Sequence, residues 1–92
     1  MNKSELVDSV AEISGLTKKD AKSAVDAILE STARALENGD KLTLVGFGTF
    51  EVRHRKAREG RNPATQETIQ IPASDYPAFK AGKRLKERVD NK

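Results

Sequence analysis

GFGTFEVRHRKAREGRNPAT, residues 46 to 65, decides how this chain reads. Gly46 and Gly48 permit a tight turn, because glycine tolerates positive φ and close backbone approach. Thr49-Phe50-Glu51-Val52 follows as a strand with Phe50 and Val52 on one buried face. Arg53, Arg55, Lys56, Arg58 and Arg61 then put five positive charges in nine residues, opposed only by Glu59. With charges on both faces, such a stretch is excluded from a core. Because it keeps a β pattern and ends in the turn former Asn62-Pro63, it is not a loose tail either. The spacing predicts a protruding two-stranded arm suited to a polyanion.

The flanks complete a sheet. Glu67-Thr68-Ile69-Gln70-Ile71-Pro72 is the return run, with Ile69 and Ile71 on one face. The excursion from Arg53 to about Ser74 is longer than ordinary connections and therefore functional in character. About ten residues each way, at ~3.3 Å per residue, give an arm of ~33 Å. A lone two-stranded ribbon is marginal in water, so a tip that stays mobile until it meets a ligand is expected. Upstream, Lys41-Leu42-Thr43-Leu44-Val45 alternates as a strand; downstream, Tyr76-Pro77-Ala78-Phe79 reads as an edge strand. Gly82 and a short helix follow, with Leu85 and Val89 as its apolar pair and Lys83, Arg84, Lys86 and Arg88 crowding it behind Lys80. Cations near a helix C-terminus favour the dipole without any ligand, which accounts for Arg88 and Lys92 better than for Lys80 and Lys83. Phe47, Phe50 and Phe79 are candidate core or dimer-interface anchors; stacking on nucleobases is the alternative.

The first forty residues form two helices. Asn2 caps the first, with Glu5 three residues on in a capping-box variant. Leu6, Val7, Val10, Ala11 and Ile13 recur at helical spacing, and Gly15 is placed to end the helix in the left-handed conformation. Thr17 caps the second helix. Its stripe is Ala21, Ala24, Val25, Ile28, Leu29, Thr32 and Leu36, and Gly39 closes it. Glu5, Asp8 and Glu12 lie on one face, as a solvated face or as paired carboxylates.

Composition sets the bounds. Ninety-two residues make one domain with a marginal core, and small chains often complete theirs in a partner subunit. With no cysteine and one histidine, His54, disulfides, thiol chemistry and zinc-finger sites are excluded. No signal-peptide or membrane-length apolar run occurs, so a soluble cytoplasmic chain is expected. The net charge of +3 hides an asymmetry: residues 1–40 carry five bases against eight acids, net −3, and residues 41–92 carry twelve against six, net +6. That split implies an acidic body and a basic working surface.

GFGTF, the spaced basic residues, GRNPAT, IPA and PAFKAGKRLK together resemble the bacterial HU-type histone-like DNA-binding proteins, with which the integration host factor subunits share a pattern. The likeness spans essentially the whole chain. It implies an α+β fold: a helical hairpin base (1–40) for dimerisation, then residues 41–92 with a three-stranded antiparallel sheet, a β-arm at about 53–74 and a short C-terminal helix. The whole of 1–92 would be one DNA-binding domain in an intertwined homodimer. By the same resemblance Arg53, Arg55, Arg58 and Arg61 fall on arm positions used on the minor groove and its phosphates, and Lys56, in the same basic run, is a further candidate for DNA contact. Asn62 and Pro63 fall at the tip, with Pro63 as the intercalating wedge. Lys80, Lys83 and Lys86 match saddle flanks, Lys3 a body position, and Phe47, Phe50 and Phe79 the dimer core. Ala64, Gln70, Asp75 and Tyr76 depart from the usual pattern, Asp75 and Gln70 by making the return strand less basic.

The resemblance implies an architectural protein of the bacterial nucleoid that binds, bends and compacts double-stranded DNA with little sequence specificity. Neither a cofactor, a metal, a small-molecule substrate nor a membrane is expected as a partner. Three rivals remain. A sequence-specific integration-host-factor-like heterodimer subunit shares the arm motif. An RNA or single-strand binder would want aromatics among the basic residues, and residues 53–74 contain none. A nuclease would need clustered carboxylates or a positioned histidine.

Overall fold

The computed structural model describes residues 1–90; Lys92, assigned above to a helix end, lies outside the described residues. The chain is α+β. It runs α1 (Lys3–Ser14), α2 (Lys18–Glu37), β1 (Leu42–Leu44), β2 (Gly48–Arg55), β3 (Arg58–Arg61), β4 (Thr68–Ile71), β5 (Ser74–Ala81) and α3 (Lys83–Asp90). It divides into two compact units, Met1–Ala35 and Leu36–Lys92.

In the first unit the caps fall where the side-chain chemistry puts them. Asn2 Oδ1 accepts the Glu5 N–H at 2.9 Å, and Gly15, at φ 77, returns its N–H to the Ala11 carbonyl. Thr17 Oγ1 accepts the Asp20 N–H at 3.2 Å. Val7 of α1 packs with Ala21 and Val25 of α2, flanked by Val10 and Ala11. Asp8 and Lys18 link the two helices at 3.4 Å. The apolar stripe continues past this small cluster uncovered: Ile28 is 62% exposed, Leu29 53% and Ile13 84%.

In the second unit β1, β2 and β5 form an antiparallel sheet in that order, and β3 and β4 pair with each other. β1 reaches only from Gly48 to Phe50 on β2. From Glu51 opposite Ala78 to Arg55 opposite Ser74, β2 and β5 have no third strand beside them among the described residues. The expected unbroken strand from Thr49 to Arg58 is interrupted at Lys56-Ala57, opposite Pro72-Ala73. Pro72 has no N–H to give the ladder, so rungs are lost there. Equal numbers of residues break both strands, and pairing resumes at Arg58 opposite Ile71 with the register intact. The ribbon is thus one hairpin missing two rungs, without a bulge. Its two-stranded part begins at Glu51, two residues nearer the sheet than the sequence suggests.

The turn at 45–47 is closed by Phe47 N–H donating to the Leu44 carbonyl at 2.9 Å, with Gly46 at φ 83. Val45, expected in β1, is instead a fully exposed turn residue. The Gly82 N–H donates to the Phe47 carbonyl at 2.8 Å and ties the end of β5 to the turn. Phe79 stacks at a tilt on Phe50 (4.7 Å between ring centroids) and on Phe47 (5.6 Å).

Candidate nucleic-acid interface

Strand periodicity sorts the basic residues by face. Directly opposed residues share a face and successive ones alternate. In the β2–β5 pair, Thr49 faces Lys80, Glu51 faces Ala78, Arg53 faces Tyr76 and Arg55 faces Ser74. Arg53, Arg55 and Lys80 therefore line one side. The other carries Phe50, Val52 and His54 over Phe79, Pro77 and Asp75. Within this pair one side is cationic and the other is apolar near the turn; the charges expected on both faces of the run appear farther out, where Arg58 and Arg61 lie on opposite faces.

Tyr76, read from sequence as an edge-strand residue and a departure from the family pattern, supports that side. The Arg55 guanidinium lies over its ring at 4.9 Å from the centroid, a cation–π contact that fixes a long side chain without neutralising it. Arg53 Nε sits 3.6 Å from Glu51 Oε2, a long contact. Among the described residues no carboxylate lies within ion-pair distance of Arg55, Lys56, Arg58, Arg61, Lys80 or Lys86. Lys83 reaches Glu87 only at 4.0 Å.

Farther out, Arg58 shares a face with Gly60, Ile69 and Ile71, and Arg61 shares the opposite one with Glu59, Gln70 and Thr68. A Cβ at Gly60 would fall 2.9 Å from Ile71 Cδ1, so the glycine makes room for the isoleucine. At the tip Asn62 organises the turn. Its N–H donates to the Glu67 carbonyl (2.8 Å), its carbonyl accepts from Gln66 N–H (2.7 Å) and its Oδ1 accepts from Ala64 N–H (2.9 Å). Gln66 sits at φ 63, in the left-handed region. Pro63 is exposed at the summit of this turn.

Lys3 has a partner that sequence reading missed. Its ammonium contacts Asp26 Oδ1 at 2.5 Å, while Lys22 holds Oδ2 at 3.0 Å. Hydrogen bonds from Lys3 and then Lys22 outweigh desolvation and hold the Asp26 carboxyl below its ordinary 3.8. A depressed folded-state value means the ionised carboxylate stabilises the fold above the unfolded value and stops doing so as pH falls through the folded one. Thermal melts from pH 6 to pH 3 should therefore show an acid-side loss of stability that is smaller in Asp26→Asn; equal losses would remove this triad from the account. The i, i+4 spacing of Lys22 and Asp26 was a usable signal, whereas Lys3 joins them only through the helical hairpin.

Arg84 also escaped notice as a site residue. Its Cδ lies 3.3 Å from where a Gly46 Cβ would stand, and with Arg88, Glu87, Val45 and Phe47 it lines an open concavity of about 580 Å³. Among the described residues no three His, Asp or Glu side chains converge as metal ligands, and no helix is long and apolar enough to cross a membrane.

The profile of the bacterial DNA-binding protein family matches residues 1–90. The chain belongs to this family, that of HU. It is 62% identical over 89 residues to DNA-binding protein HU of Geobacillus stearothermophilus, covering 97% of this chain and 99% of the relative. Against DNA-binding protein HU 1 of Bacillus subtilis strain 168 it is 60% identical over 92 residues, the full length of both. Among solved structures, the Anabaena HU–DNA cocrystal structure matches with a TM-score of 0.91 at 58% identity over 97% of each chain. HU from Thermotoga maritima matches with a TM-score of 0.68 at 40% identity, over 97% of this chain and 98% of the other. Fold class and family thus agree with the resemblance read from GFGTF through PAFKAGKRLK.

Proposed function

We propose that this chain is an architectural protein of the bacterial nucleoid, in the cytoplasm, that binds double-stranded DNA with little sequence preference. The observation that carries the reading is the cationic side of the ribbon: Arg53, Arg55 and Lys80 together, with no carboxylate engaging Arg55 or Lys80 among the described residues. The 58% identity to the chain of the HU–DNA cocrystal supports it. Arginine suits a narrow minor groove because its guanidinium is planar and weakly hydrated. That groove offers only a coarse A·T versus G·C pattern, so weak sequence preference follows.

Residues 1–92 act as one domain, with 1–40 as its dimerisation half and 41–92 as its binding half. Homodimerisation is supported by apolar side chains left uncovered in a single copy, Ile13, Ile28 and Leu29 on the helices and Phe47 and Phe79 in the sheet unit. Lys56, Arg58, Arg61 and Asn62 continue the contact along the arm; Lys80, Lys83 and Lys86 receive the flanks of a bent duplex. Lys3 joins only by sharing or leaving Asp26. The reading assigns no catalytic residue and no cofactor.

Minor-groove architectural proteins, HU and integration host factor among them, kink DNA with apolar wedges. Pro63 suits that task here. It strands no N–H donor against the bases, and its rigid ring loses little entropy on insertion. Unstacking a step costs a few kcal/mol, offset when bent flanks meet more basic surface. Pro63→Ala should keep most of the affinity and reduce the bend measured by energy transfer between end-labelled duplex ends; an unchanged bend would exclude the wedge. The reading as a whole is tested by native mass measurement and gel shifts of the purified chain. A dimer that shifts arbitrary duplexes, and yields poorly to single-strand or RNA competitors, supports it. A chain that needs a second subunit or one particular sequence would instead be an integration-host-factor-like component.

A further inference from the structure

The side of the ribbon opposite Arg53 and Arg55 carries one titratable couple. His54 and Asp75 are directly opposed on β2 and β5, one rung from the outer end of that pairing, with His54 Nδ1 2.8 Å from Asp75 Oδ1. Both side chains are well exposed, 60% and 70%. Nothing else charged faces them within this pair. Val52 and Pro77 occupy the rung below on the same side, Arg53 and Arg55 point to the other, and Lys56 lies beyond the last rung. The pairing of β1 with β2 stops at Phe50, so among the described residues no third strand covers the couple. Imidazole is the side chain whose charge ordinarily changes between about pH 5 and 8. The couple therefore has two states at the root of the arm, neutral overall when the imidazole is protonated and −1 when it is not.

We propose that His54 and Asp75 make the ribbon's hold on a polyanion proton-linked, tightening as pH falls. This rests on the DNA-binding reading and adds its regulation. With the imidazole neutral, the Asp75 carboxylate has no cation facing it within this pair, and its charge lowers the positive potential of the arm and repels phosphate. With it protonated, the repulsion is cancelled on each arm. By linkage, bound duplex must in turn favour proton uptake at His54. Because the couple is exposed the effect is modest: about threefold to fivefold tighter binding at pH 5.8 than at pH 7.8, the scale of one screened surface charge per arm.

Fluorescence anisotropy of a labelled duplex, at fixed moderate salt and both pH values, tests this with three proteins. The wild type should show the stated gain. His54→Gln should lose it, since every other titrating group is common to both chains. Asp75→Asn should bind tighter than wild type at both pH values while keeping the dependence, because it removes the repelling charge and leaves the imidazole. An undiminished pH dependence in His54→Gln, or unchanged affinity in Asp75→Asn, would overturn the proposal. Failure of all three proteins to bind duplex at either pH would instead overturn the functional reading beneath it.

Discussion

Gly48→Ala is expected to unfold the sheet unit or bring it close to unfolding. A Cβ at this position would stand 2.6 Å from the Lys80 carbonyl oxygen and 2.6 Å from Phe79 Cζ. Neither neighbour can give way cheaply. The Lys80 carbonyl is backbone held by the β2–β5 ladder, and Phe79, though partly exposed, gives up its contacts with Phe47 and Phe50 if it swings away. Relieving the clash means parting Gly48 from Ala81, the rung that starts the pairing carrying Arg53 and Arg55. Overpacking against rigid neighbours costs about 3 kcal/mol or more. For a chain this small that lowers the melting temperature by roughly 15 °C. Gly39→Ala is the control: its site has φ +74 but open space around it, so only a left-handed penalty of about 1–2 kcal/mol applies. Melts at equal chain concentration, which matters for any self-associating protein, should rank the two clearly. Equal losses would mean that the close approach at Gly48 does not hold the sheet.

Arg53→Glu combined with Arg55→Glu is expected to abolish useful DNA affinity while leaving the fold intact. Both side chains are exposed, and neither takes part in the aromatic cluster. In a dimer the pair removes about four phosphate contacts. Each contact contributes about 0.9 log units of affinity per tenfold change in salt, so about a thousandfold loss is expected near 0.1 M salt before the added repulsion is counted. Lys19→Glu, a charge reversal on an exposed site of α2, should cost no more than a few-fold. Gel shifts check affinity and circular dichroism checks folding. A double variant that is folded and still binds within tenfold of wild type would remove the cationic side of the ribbon from the site.

Much of this was legible in the sequence because its signals are local. Capping by Asn2 and Thr17, and termination at Gly15, depend on atoms a few residues apart, and they fall where the side-chain chemistry puts them. Strand alternation likewise announced Phe50 and Val52 on one face. What escaped needed partners distant in the chain. The sidedness of Arg53 and Arg55 with Lys80 depends on a register between strands more than twenty residues apart. So do the Arg55–Tyr76 stacking and the His54–Asp75 couple. The interruption at Lys56-Ala57 was missed because its cause, Pro72, lies across the ribbon, in the break between β4 and β5. Lys3 looked like a free cation until α2 brought Asp26 beside it. Asn62 was assigned to DNA contact by resemblance, and the structure gives its side-chain oxygen an additional task in closing the tip.

An exposed cationic ribbon that takes hold of the DNA backbone by charge, as proposed, must bind duplex in a strongly salt-dependent way. If a dimer neutralises about eight phosphates, the logarithm of the association constant should fall with the logarithm of salt concentration at a slope near −7. A slope near zero, with binding intact, would contradict the account.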